Sequence, residues 1–307
     1  ERVAFWVNMM SVLASAFTIL FMFWSLTRII IRFIPKETSP TGAQAVLVLG
    51  AGVVGVLSYT FSDSFWFNAV EAEVYAMAML ITSAMFWLGL RWEEDMLKPR
   101  GDRWLVLIAF LIGLSFGVHF MGLLTVPAIG MLYYFKHYPF SWKSFVVANV
   151  VSVAVLLFIF KLLLPLTLAY FGNAEVFFVN SFGLPFNSGT IIAGLSILIL
   201  FILGLLLTQQ KIWVQANTGL WCIVFILVGF SSWIMLPIRA NANTVINENA
   251  PTDARALLAY YNLEQYPETH LFYGPMYTDM YAGQDADNPY KDDKPKYEKD
   301  LKKGRYV

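Results

Sequence analysis

The hydropathy pattern of the chain alternates between long apolar segments and short polar connections. Windows of about 19 residues, which suit a helix that crosses a bilayer, predict eight spans. The spans are residues 4–27, 43–60, 73–90, 104–118, 121–135, 145–170, 190–208 and 218–238. We therefore expect an all-α integral membrane protein with about eight transmembrane helices. Residues 1–238 would form the helical transmembrane domain, and residues 239–307 a short C-terminal segment.

The basic residues of the connections lie on one side only. Every second connection carries Lys or Arg, namely Arg28, Arg32, Lys36, Arg91, Lys98, Arg100, Arg103, Lys136, Lys143 and Lys211. The other connections, residues 61–72, 119–120 and 171–189, carry neither. Because Lys and Arg are enriched in cytoplasmic loops, we expect the basic connections to face the cytoplasm. Both ends of the chain, and thus the C-terminal segment, would then be extracytoplasmic.

The composition agrees with a membrane protein and excludes several other classes. Hydrophobic residues make up 58% and charged residues 14%, whereas a soluble domain has about 25% charged residues. The sequence has no basic stripe with interleaved aromatic residues, so it gives no indication of nucleic acid as a partner. The single cysteine, Cys222, lies in the last apolar span, and no His or Cys spacing is typical of a metal site. We expect no cofactor, and the sequence leaves a metal requirement open.

The first stretch that could carry chemistry is residues 61–76, where the second span leads into the third. On a continuous helix, Asn68, Glu71 and Tyr75 share one face, and Glu73 points about 200° away from Glu71. Carboxylates at the membrane boundary are costly unless water, a cation or a polar partner is present. This favours a functional role for Glu71. The alternative is that Glu71 and Glu73 are charges in the headgroup region, stabilised by a helix N-terminus.

Three further residues are candidates because of their position in the membrane pattern. His119 lies at an outer turn and is suited to donate to a phosphate or to transfer a proton; a hydrogen bond to the turn backbone is the alternative. Arg239 leaves the last span beside Asn241 and Asn243. Arginine suits bidentate phosphate binding, and amides suit sugar hydroxyls; a snorkelling arginine before an Asn-rich loop is the alternative. Lys161, inside the sixth span, either snorkels or pairs with a carboxylate or lipid phosphate.

Three stretches together resemble a known family. They read SDSFWFNAVEAEVYA (62–76), GLSFGVHFMGLL (113–124) and IRANANTVINENAPTDARALLAYYNLEQY (238–266). With VNMMSVLASA near the start and LFYGPMYT at 271–278, they resemble multi-pass membrane proteins of Bacteroidota. Those proteins were formerly of unknown function, and their vertebrate relative is a protein O-mannosyltransferase of the endoplasmic reticulum. The resemblance covers nearly the whole chain and implies a partial GT-C fold.

The resemblance also implies an activity and its partners. A GT-C glycosyltransferase moves a sugar, here mannose, from a polyprenyl-phosphate carrier in the lipid bilayer to Ser or Thr of an exported protein. Arg239 is expected to bind the phosphate with help from His119, and Glu71 to orient the sugar or the acceptor. The expected substrate-binding set is Asn68, Glu71, Glu73, Tyr75, His119, Arg239 and Asn241.

The catalytic base of this superfamily lies in the first outer loop, in an Asp-x-Gly-Glu type motif of the related proteins. No position here matches that motif, and the chain opens with Glu1 rather than Met. We therefore interpret the chain as a fragment that lacks the first helix and first outer loop. The base is expected upstream of residue 1, and this fragment is expected to be inactive alone.

Two alternative functions and two locations stay open. A transporter or flippase of a lipid-linked substrate would account for Lys161 and for Pro127 and Pro165 inside spans, although no inverted repeat is visible. A non-catalytic scaffold of a cell-envelope complex predicts that Glu71 and Arg239 tolerate replacement by Ala. The closer resemblance favours the bacterial inner membrane with a periplasmic active face, and the endoplasmic reticulum is the alternative.

Overall fold

The computed structural model describes residues 2–35, 41–242, 244–266 and 297–307. Lys36, Asn243 and residues 271–278 lie outside the described residues. The helices are α1 Arg2–Ile30, α2 Gly42–Thr60, α3 Asp63–Val70, α4 Val74–Asp95, α5 Arg103–Ser115, α6 Thr125–His137, α7 Trp142–Leu157, α8 Leu164–Phe182, α9 Ser188–Gln210, α10 Val214–Phe230, α11 Met235–Ala240 and α12 Ala254–Tyr261. A two-stranded antiparallel hairpin, β1 Lys299–Asp300 and β2 Arg305–Tyr306, follows. The predicted all-α membrane class is confirmed.

Six described segments, rather than eight, are long and apolar enough to cross a membrane. They are Arg2–Phe33, Gly42–Thr60, Val74–Asp95, Trp142–Phe182, Ser188–Gln210 and Val214–Ala240. The predicted fourth and fifth spans are α5 and α6, with 13 residues each. Such helices are about 20 Å long, shorter than the hydrocarbon core of about 30 Å. Hydropathy overestimated them because the 3₁₀ turn between them, Phe120–Leu124, is itself apolar.

The chain forms two compact units. Unit 1 contains Glu1–Leu164 and Phe201–Trp233, and unit 2 contains Pro165–Leu200 and Ile234–Val307. The long segment Trp142–Phe182 widens into a π-helical turn, Phe158–Leu163, directly before the boundary at Pro165. Proline has no N–H to donate, and π turns are a common accommodation of such a break. The prediction that the transmembrane domain ends at residue 238 refers to the position where the chain leaves the bilayer. The division into two units does not test it, and it stays a prediction.

Ion pairs join the basic connections of unit 1 at one end. Arg28 pairs with Glu94, and Arg32 pairs with Glu93 at 2.7 Å. Lys136, at the end of α6, lies 3.4 Å from the same Glu93 carboxylate. The C-terminal ends of α1, α4 and α6 therefore meet, as the pattern of basic connections predicts. We call this the basic end of unit 1.

The start of α10 also lies at the basic end. Thr218 donates to the carboxylate of Asp102, just before α5, at 3.0 Å. The connection with Lys211 precedes α10 directly, so the four basic connections of unit 1 share this end. Their position on the cytoplasmic side of a membrane stays a prediction.

In unit 1, helix α5 packs against helix α10. A Cβ atom added to Gly113 would lie 1.9 Å from the carbonyl oxygen of Ile226, and one added to Gly229 would lie 2.2 Å from that of Phe110. The two backbones therefore touch, which only glycine permits. Small residues at such an interface allow transmembrane helices to approach this closely.

Unit 2 is organised around a buried carboxylate in α8. Glu175 is 0% exposed. Its two oxygens accept hydrogen bonds from the backbone N–H of Asn187 at 2.5 Å and of Thr190 at 2.9 Å, and from the Thr190 hydroxyl at 3.0 Å. The carboxylate therefore caps the N-terminus of α9, where the helix dipole favours negative charge. Residues 171–189 were predicted as a connection, but α8 continues to Phe182 because this capping holds α8 against α9.

The C-terminal hairpin docks on the same carboxylate. The Tyr306 hydroxyl lies 3.3 Å from Glu175 and 3.2 Å from Asp253, which also caps α12 through the N–H of Ala256. Asn180 exchanges two hydrogen bonds of 2.8 Å with the backbone of Tyr306. A tyrosine has one hydroxyl proton, so it donates to one carboxylate at a time. Tyr306 thus ties α8, α12 and the hairpin together.

Replacing Glu175 by Ala is expected to destabilise unit 2 by about 3 kcal/mol, because buried donors to a charged group lose their acceptor. Glu175→Gln keeps one acceptor and should cost less. The thermal unfolding midpoint of the purified protein in detergent measures the loss. The exposed Glu248 provides the control variant, Glu248→Ala, which should unfold like the unaltered protein. Equal midpoints for all three variants would contradict the capping role.

The docked hairpin is also expected to weaken at high pH. Burial, followed by the nearby carboxylates of Asp253 and Glu175, raises the pKa of Tyr306 above its ordinary value. The unfolded chain loses this proton near pH 10, while the folded chain keeps it, so stability falls as the pH rises above about 10. Between pH 8 and 11, the unfolding midpoint should therefore decline more steeply than in Tyr306→Phe. Parallel declines would show that Tyr306 is not the responsible group.

Candidate functional site

The residues predicted around Glu71 lie at the end of unit 1 opposite the basic end, but they do not share one helical face. Helix α3 ends at Val70 and α4 begins at Val74. Glu71 has extended backbone (φ −102°, ψ 148°), and Glu73 is the extended residue that precedes α4. The prediction of one face for Asn68, Glu71 and Tyr75 is therefore wrong. The short helix α3 packs against α1, so the chain must turn before it enters α4.

The carboxylates of this region are open to the surroundings. Glu71 and Glu73 are exposed, and so is Asp63 at the start of α3. No Lys or Arg pairs with any of the three within the described part of the chain. Their charge is thus available to a polar or cationic ligand at this end of the unit.

The structure brings Tyr75 and His119 together. Their ring centres are 5.4 Å apart, with an angle of 51° between the planes. The Nδ1 atom of His119 accepts a hydrogen bond from the backbone N–H of Met121 at 3.1 Å and caps the 3₁₀ turn. The structure therefore shows, for Nδ1, the alternative in which His119 forms a hydrogen bond with the backbone of its turn. In the neutral ring the proton is then on Nε2, which leaves a donor for a ligand.

A small pocket with several polar side chains in its lining lies beside Asn68. Its volume is about 110 Å³, and its polar lining consists of Ser15, Tyr59, Ser62, Ser64 and Asn68. The Asn68 amide nitrogen donates to the Ser64 carbonyl at 2.7 Å. The buried Ser15 hydroxyl has no hydrogen-bond partner among the described residues. Buried polar groups are normally satisfied, so this pocket has room and hydrogen-bonding capacity for water or a hydroxyl-bearing group.

Sequence reasoning missed the contribution of α1 to this pocket. Ser11, Ser15 and Thr18 recur at helical spacing in an apolar helix, and each is at most 4% exposed. Hydroxyl side chains on one face of a transmembrane helix indicate a buried polar surface. That spacing was the available signal.

Arg239 and Asn241 belong to unit 2 and are described separately. Arg239 is exposed in the last turn of α11, and no carboxylate of the described residues pairs with it. The Asn241 amide nitrogen donates to the carbonyls of Pro237 and Thr252, each at 2.8 Å. Asn241 thus stabilises the turn after α11, while the Arg239 guanidinium is open to an anion.

Lys161 lies in the π-helical turn of the segment Trp142–Phe182. Its side chain is exposed, and its Nζ is 5.1 Å from the centre of the Phe160 ring. No carboxylate in the described ranges pairs with it. The described residues therefore do not show the predicted alternative in which Lys161 pairs with a protein carboxylate.

Comparison with known protein families gives a match to the N-terminal part of the chain. Residues 1–142 match the family model described as "Protein O-mannosyl-transferase TMEM260 N-terminal domain". No curated protein and no solved structure matches the chain. The matched residues include Asn68, Glu71, Glu73, Tyr75 and His119, whereas Arg239 and Asn241 lie beyond them. Residues 1–142 are therefore similar to the N-terminal domain of the protein O-mannosyltransferase TMEM260.

Proposed function

We propose that the protein is a GT-C glycosyltransferase that moves mannose from a polyprenyl-phosphate carrier to Ser or Thr of exported proteins. The observation that carries the proposal is the relation of residues 1–142 to a protein O-mannosyltransferase domain. The six long apolar helices support it, because a lipid-linked donor is reached from within a bilayer.

The chemistry requires three kinds of group. A carboxylate takes the proton of the attacking hydroxyl, a cation stabilises the leaving phosphate, and polar side chains orient the sugar. Arg239 is our candidate for the phosphate, and the Nε2 of His119 is the second donor. Glu71 and the pocket beside Asn68 are our candidates for the sugar or the acceptor. Carboxylate, amide and hydroxyl side chains can all form hydrogen bonds with the hydroxyl groups of these substrates. We assign no catalytic base within residues 1–307 and expect this chain to be inactive alone.

The proposed orientation follows from the basic end. With that end in the cytoplasm, Glu71 and His119 would face the periplasm of a bacterial inner membrane, where exported proteins are accessible. In the endoplasmic reticulum, the same orientation would place them in the lumen.

Mass spectrometry of exported proteins tests this function. Ser- and Thr-containing peptides are compared between cells with the intact gene and cells without it. We expect a hexose to be missing uniformly when the gene is absent and to return when it is restored. Unchanged glycopeptides together with a defective cell envelope would contradict the transferase and support a scaffold.

A further inference from the structure

Unit 1 contains a large apolar groove that the proposed transfer chemistry does not use. Its volume is about 780 Å³, and it lies among α4, α5, α6, α7 and α10. Most lining side chains are aliphatic, including Leu105, Ile108, Ile112, Ile129, Val151 and Ile226. Neither Asn68, Glu71 nor His119 lines it. The groove is therefore a separate feature of the same unit.

The polar lining of the groove is concentrated at the basic end. Along α7 and the residues that flank it, the lining begins with Ser141, Lys143 and Ser144 and ends at Ile159 in the π-helical turn. The end of α6, which leads into this helix, is held at the basic end by the pair of Lys136 with Glu93. The groove thus has a polar entrance at the basic end and an apolar interior.

Among the described residues that line the groove, Lys143 alone carries a charged side chain. It is exposed, and no carboxylate among the described residues pairs with it. Lys143 also lies in the first turn of α7, where the helix dipole adds further positive potential. The entrance is therefore complementary to an anion.

The interior of the groove suits a hydrocarbon chain. An unfilled apolar void loses dispersion contacts along its walls, and water finds few hydrogen-bond partners there. From Ser141 to Ile159, the helical segment that contains α7 rises about 27 Å. One leaflet occupies about half of a 30 Å core, so a whole acyl chain fits along the groove. Since bilayer lipid is as apolar as the lining, the headgroup must supply the selectivity.

We propose that this groove binds an anionic phospholipid of the bilayer, with an acyl chain in the interior and the phosphate headgroup at Lys143. Basic pockets between transmembrane helices at the cytoplasmic side are a recurring form of lipid recognition. The site would make the packing of α5, α6, α7 and α10 depend on the lipid composition of the membrane.

Native mass spectrometry with defined lipids tests the proposal. The purified protein in detergent is given equal amounts of phosphatidylglycerol and phosphatidylcholine. We expect phosphatidylglycerol to be retained over phosphatidylcholine by roughly fivefold, corresponding to about 1 kcal/mol for one Lys near the headgroup. Lys143→Gln should abolish this preference. The control variant Lys211→Gln removes a basic residue that does not line the groove and should keep it.

A second pair of variants tests the interior. Ala148 lines the groove, whereas Ala154 of the same helix is exposed outside the lining. Ala148→Trp should remove retention of both lipids, and Ala154→Trp should not. A phosphatidylglycerol with a photoreactive acyl chain should label peptides that contain Val151 or Ile226. Equal retention of both lipids, labelling elsewhere, or displacement by equimolar polyprenyl phosphate would overturn the proposal. These readouts do not depend on sugar transfer.

Discussion

The intact protein with Arg239→Ala or Glu71→Gln is expected to lose transfer of sugar to exported proteins while its insertion and abundance stay unchanged. A preorganised donor that stabilises developing negative charge accounts for about 10²- to 10³-fold in rate. Arg239 is exposed without a carboxylate partner in the described residues, so its removal should disturb no ion pair. Glu71→Gln keeps the shape of the side chain and removes the charge. Hexose occupancy of Ser and Thr peptides measures the effect.

Two matched variants distinguish a site from a general effect of charge. Asp63→Asn removes an exposed carboxylate near Glu71, and Lys302→Ala removes an exposed cation of unit 2. Both should retain transfer. Arg239→Lys keeps the charge but loses bidentate geometry, so its activity should be intermediate. Normal transfer by the Arg239→Ala or the Glu71→Gln protein would remove that residue from the proposed site.

Gly113→Leu is expected to prevent α5 from packing against α10. Any Cβ at this position meets the Ile226 carbonyl at 1.9 Å and the Phe230 nitrogen at 2.8 Å. These are backbone atoms and cannot rotate away, so the helices must separate. We expect a loss of more than about 3 kcal/mol, the upper range for overpacked sites. The yield of monodisperse protein after extraction in detergent, and its unfolding midpoint, measure this loss.

A glycine on α10 itself gives the control for this prediction. Nothing lies within 4 Å of a Cβ added to Gly219. Gly219→Leu makes the same chemical change in the same pair of helices and should be tolerated. If both substitutions reduce the yield equally, helix propensity or hydrophobicity is responsible, and the close contact is not.

The membrane class and the common end of the basic connections were predictable. Because burying charge in a membrane is costly, apolar segments and basic connections follow each other in a pattern that short windows of sequence show. The ends of α5 and α6 were not, because the turn between them is as apolar as the helices. The prediction that Asn68, Glu71 and Tyr75 share one helical face was wrong, because the chain bends between α3 and α4. This bend arises from the packing of α3 against α1. The role of Glu175 depends on partners far along the chain, such as Tyr306. No local pattern contains that information.

The site residues divide in the same way. Glu71, His119 and Arg239 were recognisable as polar groups at membrane boundaries. The bond from Met121 to His119 and the contact of His119 with Tyr75 are products of tertiary structure.

The shortness of α5 and α6 has a consequence during biosynthesis. A helix of 13 residues is too short to partition stably across lipid alone, so we expect the two helices to leave the membrane-insertion machinery together as one hairpin. The surface of α5 around Gly113 then has no packing partner until α10 is synthesised. Its contact residue Gly229 is translated roughly ten seconds later at 5–20 residues per second. Until then, this nascent hairpin is a natural substrate for membrane chaperones and for quality-control proteases.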